Sequence, residues 1–314
     1  MRSGRRVARA VRLAAALAAL AAGCGSWSND DVAFVMALPS NEVLRLRLPA
    51  STGQALCAAP GSSEVWAWAK PTGDGLNAMV DGLLALVDLV KSAPPTTRAP
   101  DRRVWGPWGD DKHAGFEVRV TMTRSWADQV PTYAYVFEER PRGGAWSAVL
   151  DGSFTGASAR SGKGEFVLHF EDLRLLGIDE HPDTDPYGPL TVQYDRTGDP
   201  RTVGADVPTG PQGGIAEFDY GYAGYLDGNG EFDYVFVNGQ AQRYEVRARF
   251  DATGAGKADV TVVVSATSSY QFSECWDAAG CVTDVQDASA MWLPAGVSGL
   301  CTNHACPRGA CPAL

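Results

Sequence analysis

The strongest constraint on the fold is an alternation of apolar and polar residues with a period of two, which dominates the chain from about residue 104 onward. In Phe116-Glu117-Val118-Arg119-Val120-Thr121-Met122-Thr123, every apolar side chain falls on one face of an extended chain. The same pattern recurs in Tyr133, Tyr135 and Phe137; Phe166, Leu168 and Phe170; Leu190, Val192 and Tyr194; Phe218, Tyr220 and Tyr222; Tyr244, Val246, Ala248 and Phe250; Val260, Val262 and Val264. Because no helices alternate with these segments, they predict an antiparallel sheet of about ten or more strands.

One segment has a helical period instead. Apolar residues recur at intervals of three and four between about residues 74 and 93, with Asp74 as a candidate N-cap and Pro94-Pro95 as the stop. The predicted fold class is therefore mainly β: an antiparallel β barrel or a strongly curved β sheet, with this α-helix packed on it. Closure into a barrel would remove the exposed edges.

Two shorter segments before residue 74 also have a strand-like composition. Val43-Leu44-Arg45-Leu46-Arg47-Leu48 alternates between Leu and Arg, and Val65-Trp66-Ala67-Trp68 is β-branched and aromatic. Both are predicted to be strands.

A faint internal repeat supports one continuous sheet. Gly162-Lys163-Gly164-Glu165-Phe166 is similar to Gly228-Asn229-Gly230-Glu231-Phe232, and Tyr194-Asp195-Arg196-Thr197-Gly198 is similar to Phe250-Asp251-Ala252-Thr253-Gly254. Each unit is interpreted as a Gly turn, a strand, a variable loop and a strand that ends in an Asp-x-Thr-Gly turn.

The first residues have the anatomy of a secretory leader. Five Arg precede an uncharged apolar run from Leu13 to Ala22, which at about ten residues is half the length of a transmembrane helix. Small residues then stand directly before Cys24. One alternative is ordinary cleavage after Ala21, which would release a soluble exported protein.

The segment around Cys24 resembles the lipobox of bacterial lipoproteins, although Ala21 stands where that pattern most often has Leu. The resemblance implies cleavage before Cys24, lipid on its side chain and attachment to the membrane through that lipid. Gly25 and Ser26 follow instead of Asp, which implies the outer membrane. The expected organisation is a signal peptide over 1–23, a lipidated Cys with a tether over 24–38, and a single β-rich domain over 39–314.

The cysteine count agrees with lipidation. If Cys24 carries lipid, six cysteines remain and can pair, and export favours disulfides over free thiols. Cys275 and Cys281 are interpreted as partners, and Cys57 is expected to bond one of the cysteines in the C-terminal tail, so that the tail is stapled to the domain. The tail cysteines are Cys301, Cys306 and Cys311. A metal site at these thiols with His304 is the alternative, but its spacing is not that of a familiar zinc finger.

Charge excludes one class of partner. Removing residues 1–23 takes away five Arg and no acidic residue, so the formal charge moves from −10 to −15. An acidic surface repels phosphate backbones, so no nucleic-acid partner is expected.

The segment Asp227-Gly228-Asn229-Gly230-Glu231-Phe232-Asp233 alternates oxygen side chains as calcium loops do. It lacks the Gly and bidentate Glu positions of an EF-hand, so a hairpin turn is the prediction. Calcium bound by Asp227, Asn229, Glu231 and Asp233 is the alternative.

No catalytic motif stands out. The chain has no Gly-x-Ser-x-Gly, no His-Glu-x-x-His and no Walker loop, and no cofactor is expected. The histidines His113, His169, His181 and His304 are interpreted as surface residues. The acidic loop of Asp179, Glu180, Asp183 and Asp185 is interpreted as solvated, and the tryptophans as core.

These observations predict a lipid-anchored cell-envelope protein that acts as a binding or structural module without enzymatic activity. Two alternatives are a carrier that encloses an apolar ligand in a barrel and a periplasmic hydrolase of envelope polymers.

Overall fold

A computed structural model describes residues 27–49, 57, 61–110, 112–179, 188–207, 218–237 and 241–287. The helices are α1 (Asn29–Ala37), α2 (Asn41–Leu44), α3 (Glu64–Ser92) and α4 (Phe170–Leu176), and Ala159–Ser161 forms a short 3-10 helix. The strands are β1 (Thr97–Ala99), β2 (Arg102–Gly109), β3 (Phe116–Ala127), β4 (Val130–Pro141), β5 (Ser147–Thr155), β6 (Lys163–His169), β7 (Pro189–Asp195), β8 (Arg201–Val207), β9 (Phe218–Gly224), β10 (Gly230–Val237), β11 (Arg243–Phe250), β12 (Gly256–Ser265), β13 (Ser268–Trp276) and β14 (Val282–Asp287).

All 14 strands form one antiparallel sheet in which each strand pairs with its neighbours in the sequence. Strand β1 pairs only with β2, and β14 pairs only with β13, so the sheet is not closed over the described residues. The prediction of a mainly β protein with an antiparallel sheet is confirmed. Of the two predicted forms, the described part of the chain has the strongly curved sheet and not the closed barrel.

The alternation seen in the sequence divides the sheet into two faces. One inner row crosses ten strands and is almost entirely apolar. In order its members are Tyr135, Gly152, Phe166, Val192, Ala205, Tyr220, Tyr234, Val246, Val260 and Phe272. Burial of this face against α3 forms the core, because the helix presents its own apolar stripe to it.

Helix α3 is longer than predicted, with 29 residues instead of the expected span from 74 to 93. It begins after the N-cap Ser63, whose hydroxyl accepts a hydrogen bond from Trp66 N at 2.9 Å, and it continues through Pro71. The indole of Trp66 stacks on Trp276 at 5.6 Å. Tertiary packing therefore overrides the local preference of this segment, and the predicted strand around Trp66 and Trp68 is wrong.

The predicted strand over residues 43–48 is also wrong. Helix α2 ends at Leu44, and the extended residues after it have no strand partner. The side chain of Asn77 takes the place of one, since its Oδ1 accepts from Leu46 N at 2.8 Å and its Nδ2 donates to Leu46 O at 3.1 Å. The alternation was real, because Leu44 and Leu46 are buried while Arg45 is exposed. The alternation arises because this segment packs against α3, and the segment does not pair with a strand of the sheet.

Helix α1 replaces much of the tether that was expected over 24–38. Ser28 and Asp31 form a capping box at its start, and Phe34 is buried in the core. The carboxylate of Asp31 accepts hydrogen bonds from Arg98 and Arg103, at 3.0 and 2.6 Å. Burial alone would raise the pKa of Asp31, but hydrogen bonds from Ser28 and from the two guanidinium groups outweigh it and lower the pKa to about 2. These contacts fix α1 to the β1–β3 edge of the sheet. Among the described helices, none is long and apolar enough to cross a membrane.

The disulfide prediction needs correction. Cys281 forms a disulfide with Cys57, at a Cα–Cα distance of 5.4 Å and a separation of 224 residues. Both predictions are therefore wrong: Cys281 is not paired with Cys275, and Cys57 is not paired with a cysteine of the C-terminal tail. The β13–β14 register places Asp284 opposite the buried Cys275, so Cys281 does not face it. The bond joins the segment before α3 to the end of the sheet, and on the chain-entropy account it destabilises the unfolded state by about 5 kcal/mol. The tail cysteines Cys301, Cys306 and Cys311, and with them His304, lie outside the described residues.

Candidate functional site

A groove with a volume of about 620 Å³ lies on the outer face of the sheet between β5 and β10. Two neighbouring rows of outward-facing residues line it. The first row is Ser153, Glu165, Gln193, Gly204, Gly221 and Asp233, and the second is Thr155, Lys163, Asp195, Thr202, Ala223 and Glu231. Six strands spaced about 4.8 Å apart give the groove a length of roughly 24 Å, so it suits an elongated ligand.

A pair of glycines forms the floor of the groove. Gly204 of β8 lies directly opposite Gly221 of β9. A Cβ atom added to Gly221 would meet nothing within 4 Å, and one added to Gly204 would meet only Tyr220 O at 3.4 Å. Neither residue has the positive φ that favours glycine. The local backbone therefore does not require glycine at these positions, and the missing side chains open the face to another molecule.

The lining of the groove is acidic. Lys163 is its one basic residue, against the carboxylates Glu165, Asp195, Glu231 and Asp233. None of its lining residues is a histidine. Side-chain hydroxyls and one amide complete the polar surface. This set of groups can accept hydrogen bonds from hydroxyl and ammonium groups, and it repels anions.

The carboxylates differ in their surroundings. The pKa of Asp195 is lowered, mainly because its Oδ1 accepts from the Thr197 hydroxyl and backbone N–H at 2.6 and 2.7 Å. The pKa of Asp233 is raised, because the neighbouring strands desolvate its carboxylate and Glu231 adds repulsion, while Arg249 and Arg247 oppose the shift. Asp233 is still reached by solvent, so its carboxylate is available to a ligand.

A much smaller cavity lies on the inner face of the sheet. The cavity there, between α3 and the sheet, has a volume of about 10 Å³ and is lined by Pro39, Leu84, Val87, Tyr135, Leu150 and Phe166. A volume of this size is at the lower limit for a single water molecule. In the part of the chain that is described, buried side chains of α3 and of the aromatic rows pack together on this face.

The calcium alternative concerned the turn between β9 and β10. Asp227 stabilises this turn by accepting from Asn229 N and Nδ2, both at 3.1 Å. Glu231 accepts from the Tyr225 hydroxyl at 3.0 Å, and Asp233 lies further along β10 in the groove. The segment forms the hairpin turn that was predicted, and the side chain of Asn229 is hydrogen-bonded to that of Asp227 within it.

The Asp-x-Thr-Gly repeat forms two equivalent turns. Asp195 in the β7–β8 turn and Asp251 in the β11–β12 turn each accept hydrogen bonds from the N–H and the hydroxyl of the Thr two residues later. The four distances lie between 2.6 and 2.8 Å. The sequence similarity thus predicted the local geometry correctly.

Two of the four histidines are described. His169 at the end of β6 bonds Asp151 of β5. His113 lies near the surface, with its ring 24% exposed, but it also pairs with Asp110 and stands close to Glu139. His181 falls outside the described residues, as do Glu180, Asp183 and Asp185 of the acidic loop, whereas Asp179 pairs with Arg174 at 3.1 Å.

The prediction that the tryptophans are core residues holds for Trp66, Trp105 and Trp276, but Trp27 and Trp126 are exposed. Trp105 is fully buried and its Nε1 donates to Ala93 O at 3.0 Å, and the rings of Trp66 and Trp68 pack against aromatic residues of the inner face. No tryptophan lines the groove.

Two features were missed, and both left a signal in the sequence. Glycines at the outward phase of strands, in Val203-Gly204-Ala205 and Tyr220-Gly221-Tyr222, marked the floor of the groove. A glutamate at the inward phase, in Tyr135-Val136-Phe137-Glu138-Glu139, marked a charged group that points toward the core.

Comparison with known proteins adds no relative to this description. A scan against models of protein families found no match, and searches among curated proteins and among solved structures found none.

Proposed function

We propose that this protein is a lipid-anchored binding module of the cell envelope, held to the outer membrane by lipid on Cys24, whose groove binds an oligosaccharide that carries amino groups. The observation that supports ligand binding is the glycine pair, Gly204 and Gly221, beneath an open polar groove. Without the pair, outward side chains would fill this face.

The chemistry of the lining supports the choice of ligand. Hydroxyl and amide side chains pair with sugar hydroxyls, and four carboxylates with a single lysine favour ammonium groups over acidic ones. The elongated shape suits several sugar units rather than one. The proposed role is non-enzymatic.

The start of the described chain supports the anchor. Only three residues lie between Cys24 and Ser28, so the four steps from one to the other span at most about 14 Å, and α1 is then fixed to the sheet edge. Large apolar side chains are exposed at this edge: Trp27, Val32, Met36, Trp126 and Val130. Arg124 links them in space, since it pairs with Asp30 of α1 at 2.5 Å and lies 5.4 Å from the Trp126 ring. This edge is the one that a lipid on Cys24 would hold against the bilayer, and exposed tryptophans suit the membrane interface.

The groove is tested by the substitution Gly221→Val. The backbone accepts a β-branched residue without strain here, so we expect a folded protein of equal or slightly higher stability. Glucosamine oligomers should bind the unchanged protein in a calorimetric titration, and Gly221→Val should weaken binding at least tenfold. The control Thr261→Val alters the outer face of β12, away from the groove, and should bind as the unchanged protein does. Equal binding by Gly221→Val would overturn the assignment.

The ligand class is tested separately with N-acetylated glucosamine oligomers and with acidic oligosaccharides of similar length. Weaker binding of the neutral series and none of the acidic series is expected. A preference for acidic oligosaccharides would contradict the argument from charge.

The anchor is tested by Cys24→Ser. This variant should be folded and should leave the membrane fraction. If it stays with the membrane after a high-salt wash, the anchor is not the lipid on Cys24.

A further inference from the structure

Three ligand-type side chains meet at the end of the sheet where β2 leads into β3, outside the groove. Asp110 and His113 lie in the β2–β3 connection, and Glu139 lies on β4. One carboxylate oxygen from each acid and one ring nitrogen of His113 all lie within 4.8 Å of one another. Among the described residues, this is the one group of three or more such side chains at this spacing.

The backbone holds the connection in place without help from an ion. Asp110 N donates to Phe116 O at 3.1 Å, and Phe116 N donates to His113 O at 3.0 Å. Asp110 Oδ1 accepts from Lys112 N at 2.8 Å, which leaves Oδ2 directed toward His113 Nδ1 at 2.5 Å. Two of the three groups are thus preorganised by a closed turn next to a strand.

Glu139 provides a second and independent observation. It continues the inward alternation of Tyr133, Tyr135 and Phe137, so its side chain points to the inner face and is only 5% exposed. Its Oε2 is buried, and no described group donates a hydrogen bond to it. A buried carboxylate oxygen without a donor is costly, so its presence calls for a partner that the described residues do not supply.

We propose that Asp110, His113 and Glu139 bind one divalent transition-metal ion, with Zn²⁺ as the best fit. An imidazole together with carboxylates suits zinc and its neighbours better than magnesium or calcium, which prefer oxygen alone. Ligand atoms around a tetrahedral ion lie about 3.4 Å apart, given bonds of about 2.1 Å. The metal would therefore separate Asp110 Oδ2 from His113 Nδ1 and draw Glu139 closer, by shifts of about 1 Å.

Three protein ligands leave one position of a tetrahedral ion open. The side chains of Asp110 and His113 are 13% and 24% exposed, so the cluster lies near the surface, and the open position can be taken by water or by a ligand atom. The site is separate from the groove and does not depend on the proposed function.

A purely structural network is the competing explanation, and the chain contains a matched example of one. His169 and Asp151 form the same type of imidazole–carboxylate pair, but no third metal-ligating side chain joins them within the described chain. His169→Ala is therefore the control for His113→Ala, because it removes an equivalent hydrogen bond without touching the proposed site.

The test is calorimetric titration of the chelator-treated full chain with Zn²⁺. We expect one equivalent to bind at this site, with affinity lowered by more than about 100-fold in Glu139→Gln and in His113→Ala. His169→Ala should bind as the unchanged protein does. The conservative Glu139→Gln variant keeps the shape of the side chain, so loss of binding in it is not a failure to fold.

Substitution with Co²⁺ reports the ligand type. Visible absorption typical of four- or five-coordinate cobalt, lost in Glu139→Gln, would support the proposal. Binding that is equal in all three variants, a thiolate-to-cobalt absorption band, or no binding at all would overturn it.

Discussion

Two glutamates of the sheet point to its inner face, but their carboxylates have different surroundings. Glu139 of β4 and Glu274 of β13 both take the inward phase of an otherwise apolar strand, and they are only 5% and 7% exposed. Burial raises the pKa of each, that of Glu139 to about 7. The two carboxylates differ in what surrounds their oxygens.

Glu274 faces the N-terminus of α3. Its Oε1 accepts from the Ser63 hydroxyl and from Val65 N at 3.3 Å, so a strand carboxylate satisfies the free N–H groups at the start of the longest helix. Glu139 faces Asp110 and His113, and its Oε2 receives no donor from the described chain. An inward-facing carboxylate thus has a structural role where a helix N-terminus donates hydrogen bonds to it. Where no described group donates to it, the carboxylate is a candidate metal ligand.

Asp31 is a third buried carboxylate, and both of its oxygens accept hydrogen bonds. It is fully buried and bound by Arg98 and Arg103. We expect Asp31→Asn to lower the free energy of unfolding by about 3–5 kcal/mol, because it removes a buried carboxylate charge that pairs with two guanidinium groups. Denaturant titration measures this. Asp30→Asn is the control, since Asp30 is 40% exposed and its loss should cost about 1 kcal/mol.

The same residue predicts a pH dependence. The pKa of Asp31 is lowered to about 2, so its stabilisation is complete above the ordinary value near 3.8 and is lost as the pH falls through 2. The loss of stability between pH 4 and pH 2 should be smaller in Asp31→Asn. Equal acid sensitivity in both proteins would contradict the role of Asp31.

Glu274→Gln should have an intermediate effect. The amide keeps one acceptor but removes the charge at the helix N-terminus, so we expect a loss of about 1–3 kcal/mol in denaturant unfolding. Glu165→Gln on the exposed outer face should change stability by less than about 0.5 kcal/mol. If the two variants are equally stable, Glu274 does not cap α3.

Glu139→Gln should have the smallest effect in the absence of metal. The substitution removes a charge whose oxygen has no donor, so we expect a change within about 1 kcal/mol, in either direction. A loss as large as that of Glu274→Gln, measured in the presence of a chelator, would show that Glu139 already has a structural partner.

The sequence predicted the faces of the sheet better than the partners of its charges. The alternation through Tyr133, Tyr135 and Phe137 placed each side chain correctly, because one face of a strand is set by a local period. The turns at Asp195 and Asp251 could be predicted for the same reason, because their hydrogen bonds join residues only two positions apart. The start of α3 before Pro71 could not be predicted in this way, since contact between Trp66 and Trp276 determines it.

The candidate sites depend on register between distant strands. Gly204 and Gly221 form a floor only because β8 and β9 pair at those residues, and Glu139 meets His113 only because β4 folds back beside the β2–β3 connection. The bond from Cys57 to Cys281 spans 224 residues and has no local signal at all. The short spacing in the sequence instead suggested that Cys281 bonds Cys275.

The most direct test of the contrast between the two glutamates is the change in unfolding free energy on addition of Zn²⁺ to the metal-free protein. At about 100 times the dissociation constant, a metal that binds only the folded state adds about 2.7 kcal/mol. We predict this gain for the unchanged protein and for Glu274→Gln, and less than about 0.5 kcal/mol for Glu139→Gln. An equal gain in all three proteins, or no gain in any, would contradict the assignment of Glu139 as a metal ligand.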